Sequence, residues 1–318
     1  MRLWQAAVGA VLLLTVCGAD ARAEFPERTI RLIVPFAPGG ANDSVARLVS
    51  DRLSKILGQP MVVENRPGGG TVIGTNIVAT AAPDGYNLLL ISPAHTINPY
   101  INKSLPYRTV EDFTPIGQIT RSAYVMVTAS TSPFKTVRDF VSPDHPSISF
   151  ASAGPGSAPH LAAQLLVNSL GIEYVHVPYQ GGAPAMVGVI RGDVDFYFSS
   201  VAGARSFLDS NQVRALAVSS DRRVKALPDV PTVAEAGVPG FAINGWYGII
   251  GPAHLPPDVV ARLQKAIETA LHDPVLITRL EQEGEEVSGG TPEQFGALIR
   301  SDYEKYRTVV ASAGVQPK

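Results

Sequence analysis

Two glycine-rich stretches hold the residues best suited to chemistry. The first is Ala37-Pro38-Gly39-Gly40-Ala41-Asn42-Asp43. It follows the apolar run Ile30–Val34 and precedes a segment with Val45, Leu48, Val49, Leu53, Ile56 and Leu57 at helical spacing. A loop of this kind ends on a helix start, where the first N–H groups lack intrahelical acceptors and carry a partial positive charge. Such a place favours an anion, and Gly39 and Gly40 let the backbone approach it without side-chain interference. Asn42 or Asp43 is expected to cap the helix. Asp43 has a second possible role, meeting an ammonium group on a ligand. The alternative for the whole loop is a tight turn with no ligand. The second stretch, Phe150 to His160, repeats the layout, with Gly154, Gly156, Ser157 and His160 in the loop or first helical turn. Ser157 caps the helix or donates to an oxyanion. Neither stretch contains Lys or Arg, so a bound carboxylate is expected to rest on amides and helix dipoles rather than on an arginine fork.

Three further loops follow expected strands. Ser92, Ala94 and His95 follow Asn87–Ile91; Tyr179, Gly181 and Gly182 follow Tyr174–Val177; Ser200 and Ala202 follow Asp195–Phe198. All lie at strand carboxyl ends, where open α/β sheets hold ligands. Tyr86, Tyr179, Trp246 and Tyr247 are further candidates for ligand contact, although a core or hinge aromatic is the more ordinary reading of each.

Catalytic and cofactor readings find less support. Ser157 and His160 suggest a nucleophile and base, but a serine three residues before a histidine at a helix start is the ordinary arrangement of a cap, and no G-x-S-x-G elbow occurs. The six histidines show no metal-ligand spacing. The stretch Gly69 to Thr75 lacks the lysine of a phosphate loop, and no G-x-G-x-x-G is present. No cofactor or metal is expected.

These loops need elements to hold them. Strands alternating with helices through short loops predict parallel sheets flanked by helices. Beyond β-prone Phe113–Ala129 a second such series runs from Thr136 to Ser219, and Phe241–Ile250 is again extended. The remainder is helical from Pro257, Pro274 and Pro292, residue types tolerated at helix starts. Two extended crossings around a middle segment predict an inserted lobe: residues 24–122 and 241–318 form the first lobe, 123–240 the second. The fold class expected is α/β, with two lobes joined by a hinge and a ligand cleft between them.

Residues 1–23 read as a cleaved secretory signal, from Arg2, the apolar Ala6–Val16 and the small-residue pattern Ala21-Arg22-Ala23. The single cysteine, Cys17, falls inside it, which leaves the mature chain without disulfides or thiolate sites. Lipidation at Cys17 is disfavoured by Val16. Without Arg2, Asp20 and Arg22 the chain keeps 24 basic and 27 acidic residues, net −3. No basic run points to nucleic acid or anionic membrane, and no other apolar run reaches the roughly 20 residues a spanning helix needs. A periplasmic monomer is expected.

Four motifs in order, Pro-Phe-Ala-Pro-Gly-Gly-x-x-Asp (Pro35–Asp43), Val-Glu-Asn-Arg-Pro-Gly (Val63–Gly68), Ala-Pro-Asp-Gly-Tyr (Ala82–Tyr86) and Asp-Val-Pro-Thr (Asp229–Thr232), resemble the Bug family of periplasmic receptors that serve tripartite tricarboxylate transporters. The resemblance covers the mature chain. It implies a type II periplasmic-binding-protein fold. It also implies carboxylate capture by backbone amides, hydroxyls and waters at Ala37–Asp43 and Ala153–His160, with delivery to membrane transporter subunits. Asn42 stands where many relatives have threonine, so ligand specificity is not carried over. The other readings are a sensor for a membrane signalling protein and an exported hydrolase using Ser157 and His160.

Overall fold

A computed structural model describes residues 25–141, 147–154 and 157–312. The expected signal segment, and any lipid on Cys17, lie outside these residues. β1 (Ile30–Val34) is buried on both faces, as a central parallel strand must be. α1 (Ala41–Leu57) turns Val45, Ala46, Val49, Leu53 and Leu57 to the core and ends at Gly58, whose φ of 72° suits glycine. Each large apolar side chain buried along that stripe is worth about 1.5–3 kcal/mol. β2 (Met61–Asn65) is an edge strand, and its Val62 is 46% exposed. α2 (Val72–Ala79) follows a 3₁₀ turn at Gly69–Thr71. β3 (Asn87–Ile91) leads straight into α3 (Ala94–Ile101).

β4 (Phe113–Ala129) is 17 residues long and belongs to two sheets. A second α/β series follows: β5 (Ile148–Ser152), α4 (Ala158–Leu170), β6 (Tyr174–Pro178), α5 (Gly182–Arg191), β7 (Phe196–Ser200), α6 (Val201–Asp209) and β8 (Val213–Val218). β9 (Asn244–Pro252) returns antiparallel to β4, and α7 (Pro257–Ala270), α8 (Pro274–Gln282), β10 (Glu286–Val287) and α9 (Pro292–Ser312) complete the chain.

The first sheet runs β2-β1-β3-β9-β4, with β1, β2 and β3 parallel and β10 added to β4. The second uses the far half of β4, flanked by β7 and β8, and continues to β5 and β6 in parallel. The expected α/β architecture of two lobes with crossing strands is what forms. The helix starts differ in detail. Asn42 and Asp43 do not cap α1; Gly40 holds the N-cap position without a side-chain bond, and Asp43 reaches back from the first turn to the Gly39 N–H at 2.9 Å. The expected loops after β3 and β7 are the starts of α3 and α6, short helices whose apolar residues are too few for a clear period.

α9 joins both lobes. Phe295 and Ile299 pack with Trp246, Ile33 and Leu89 against the first sheet, whereas Tyr306, Val309 and Val310 enter the core that holds Phe150, Phe196 and Phe198 of the second. The buried Asp302 sits between them, accepting the Trp246 Nε1–H at 2.7 Å and pairing with Lys305 at 2.7 Å.

Candidate functional site

The loop after β1 is held from beneath. Asp43, almost fully buried, accepts from the Gly39 N–H, from Asn65 Nδ2 at 3.0 Å and from Arg47 Nε at 3.0 Å. Asn65 also donates to the Phe36 carbonyl at 3.1 Å. The Arg47 guanidinium, the Gly39 N–H and the Asn65 amide together hold the Asp43 carboxyl below its usual range against the cost of burial. Gly39 has φ of 86°, a turn that L side chains resist.

The second loop is built by a serine. The Ser157 Oγ donates to the Gly154 carbonyl at 2.7 Å and accepts the His160 N–H at 3.4 Å, capping α4. The His160 ring lies in the interior, 4.1 Å from the His176 ring centre and stacked with Phe150. Burial, then the neighbouring His176, lowers its pKa to about 4. Gly156 lies outside the described residues.

The starts of α1, α3 and α4 meet at one cavity of about 250 Å³. Phe36 and Asn42 come from the first loop, Ser92, Pro93, Ala94, Ile97, Asn98 and Ile101 from the α3 region, and Ser157 and Ala158 from the second loop. The crossing strands supply Ser122 and Tyr124 from β4, and Gly245, Trp246 and Tyr247 from β9. Among the described residues the Asn42 Oδ1 is buried without a hydrogen-bond partner, a polar atom whose desolvation they do not offset. Asn98 is committed elsewhere, donating to the Gly70 carbonyl at 2.7 Å and to Thr71 Oγ1 at 2.6 Å.

Of the residues singled out from sequence, Asn42, Ser92, Ala94 and Ser157 line this cavity. Ala37, Pro38, Gly39 and Gly40 form the exposed turn above it. Gly154 accepts from Ser157 at the base of the second loop, with φ of 122°. His95, expected in the cleft, is in the core instead: its Nε2 meets the Thr109 carbonyl at 2.9 Å and its ring packs between Tyr107 and Phe113. The cause is α3, which turns the residue after Ala94 inward. The Asp43 carboxylate does not line the cavity either, being engaged by Gly39, Asn65 and Arg47. Tyr179 places its hydroxyl against Gly188 of α5, and the exposed Gly182 packs on the Tyr197 hydroxyl; with the partly exposed Gly181 they stand apart from the cavity. Trp246 and Tyr247, for which ligand contact is the less ordinary of two readings from sequence, both line the cavity. Their position opposite Arg121 and Thr120 on β4 is set by strand pairing, which the linear pattern does not display.

A larger cavity of about 480 Å³ meets the first at Ser122, Gly245 and Trp246. Val201 at the start of α6 is in its wall; beside it Ser200 caps α6 by accepting the Gly203 N–H at 3.1 Å, and Ala202 packs on Gly284. This cavity is lined by Arg121, Arg222 and Lys225 with Asp221, Glu281, Glu285 and Glu286. Arg121 and Arg222 both lie 3.5 Å from Glu286, so the charges compensate one another. The smaller cavity is the better-formed site, because three helix starts and an unpartnered amide oxygen converge on it. Among the described residues no His, Cys, Asp and Glu group is arranged to hold a metal ion, and no helix is long and apolar enough to cross a membrane.

Two lobes bridged by crossing strands, with helix starts from both facing a cavity between them, define a solute-binding protein of the periplasmic type. The chain belongs to the tripartite tricarboxylate transporter family of receptors, whose model matches residues 45–315. It is 37% identical over 308 residues to the UPF0065 protein in the tcbD-tcbE intergenic region of Pseudomonas sp. strain P51, covering 95% of this chain and 92% of that one. Among solved structures it is similar to the periplasmic binding protein BugD, with 34% identity, a TM-score of 0.75, and coverage of 92% of this chain and 100% of that one. It is likewise similar to MatC (Rpa3494) from Rhodopseudomonas palustris with bound malate, at 33% identity, a TM-score of 0.75, and coverage of 90% and 100%. These family members and neighbours are binding proteins.

Proposed function

We propose that this protein is a non-enzymatic periplasmic receptor. It captures a small carboxylate between its lobes and delivers it, as a monomer, to membrane transporter subunits. In this reading residues 24–122 and most of 241–318 form one jaw and 123–240 the other, with the end of α9 shared between them. Residues 1–23 direct export. The convergence of the α1, α3 and α4 starts on an uncharged cavity carries the reading. Their N–H groups and dipoles favour a carboxylate group without needing an arginine. The malate in MatC supports the ligand class. Ser157 acts as a cap in this reading, and its bond to the Gly154 carbonyl leaves it poorly suited to be a nucleophile.

Native mass spectrometry of freshly purified mature protein tests it, together with a thermal-shift screen of carboxylates beside an ester-hydrolysis assay. A retained or added carboxylate is expected to raise the melting temperature without turnover. Ligand at a hundredfold above Kd stabilises by about 2.7 kcal/mol. Hydrolysis that depends on Ser157, with no carboxylate-induced shift, would refute the reading.

A further inference from the structure

The walls of the cavity bear on how many carboxylates a ligand brings. Among the described residues no Lys, Arg or His side chain lines it. Its positive potential comes from helix starts, each equivalent to about half a charge, and Asp43 in the first turn of α1 offsets part of that share. Phe36, Ile97, Ile101 and Trp246 make much of the remaining wall apolar.

The floor of the cavity is unfavourable to a second anion. Ser122, Tyr124 and Tyr247 lie there on β4 and β9. Just beyond them is Glu285, 7% exposed, which accepts from Thr120 Oγ1 at 2.6 Å. Burial first, then the negative potential of Glu285, keeps both tyrosines protonated, and Glu283 acts on Tyr247 in the same sense. Arg121 and Arg222 each lie 3.5 Å from Glu286, in the wall of the larger cavity. The charged side chains that act on these two tyrosines are thus carboxylates, while Arg121, Arg222 and Lys225 line the larger cavity beyond, so an anionic group at this floor would meet repulsion first. A neutral group would find two phenolic hydroxyls.

We infer that the ligand is a monocarboxylate with an apolar, ring-sized body, and that Glu285, with Glu283, rejects ligands carrying a second carboxylate. The inference rests on the carboxylate-receptor reading and narrows it. Isothermal titration calorimetry at pH 8 tests it, using the mature chain stripped of bound ligand by unfolding and refolding. The titrants are benzoate, cyclohexanecarboxylate, adipate and citrate. At least one monocarboxylate is expected to bind about tenfold or more tightly than adipate or citrate. Glu285→Gln is expected to shift the ratio toward adipate by about tenfold, as removal of one nearby charge should. If that variant does not fold, Glu283→Gln, which alters a partly exposed group that accepts from Ser44 Oγ, should shift it in the same direction. Adipate or citrate binding as tightly as both monocarboxylates would overturn the inference and leave the receptor reading standing. So would an unchanged ratio in the folded variants. Heat from none of the four would overturn both.

Discussion

Asp43 was open to two roles from sequence, a helix cap or a partner for a ligand ammonium group. Its contacts with Gly39, Asn65 and Arg47 favour a third, a strut beneath the first loop. Asp43→Asn should then weaken every carboxylate by a similar factor and lower stability by about 1–3 kcal/mol, the cost of disturbing a buried, charge-assisted bond set. Titration with amino-bearing and amino-free acids checks this, since selective loss of the amino-bearing ones would restore direct contact. The first loop itself was legible because its glycines, its position after β1 and the absence of Lys and Arg all pointed the same way. His95 was not legible. Its inward turn depends on α3 beginning at Ala94, and on the pocket formed by Tyr107 and Phe113 from later in the chain.

At the scale of elements, the α/β alternation and the two crossings could be read from sequence because apolar runs, glycines and helix-start prolines mark their ends. β3 and β4 occur with the expected bounds. What could not be read was partnership. α9 has one apolar stripe in sequence, but its first half serves one core and its last turns another. Tyr306 is wholly buried in the second core. Tyr306→Ala should cost about 3–5 kcal/mol, by analogy with other large aromatic truncations. The loss should be local: hydrogen exchange is expected to quicken most in β5 and β7, with β1 and β3 less affected. Equal quickening in both sheets would assign α9 a different role.

For the whole molecule, pH dependence follows from groups that folding forces to be neutral. Burial lowers His95 to about 4; its Nε2 faces the Thr109 carbonyl and its Nδ1 has no partner, so a second proton would be buried unpaired. His160 is likewise lowered to about 4. Such groups add stability that is present above 6.5 and lost as pH falls toward 4, because the unfolded chain binds their protons first. Glu285 works the other way. Burial raises it to about 7, with the Thr120 and Ser122 hydroxyls opposing, so its destabilising effect grows as pH rises from 4.5 through 7. Two histidines outweigh one glutamate, and a net loss on the order of 2 kcal/mol is expected between pH 7 and 4.5. Below that, Glu64 adds to the loss, since its bonds to Arg31 hold it at about 2. Urea unfolding at stepped pH measures the sum. Glu285→Gln should be more stable than the parent at pH 8 and should lose stability more steeply on acidification.

The divided loyalty of α9 also bears on how such a chain is made. The first core needs β9, whose residues lie beyond the whole inserted segment, and the second core needs Tyr306, Val309 and Val310 near the carboxyl end. A chain threaded through a translocation channel in sequence order would have nearly all its residues across before either core could close. Premature compaction, the hazard of N-terminal-first folding, would thereby be deferred to the last helix in any chain that crossed a membrane unfolded.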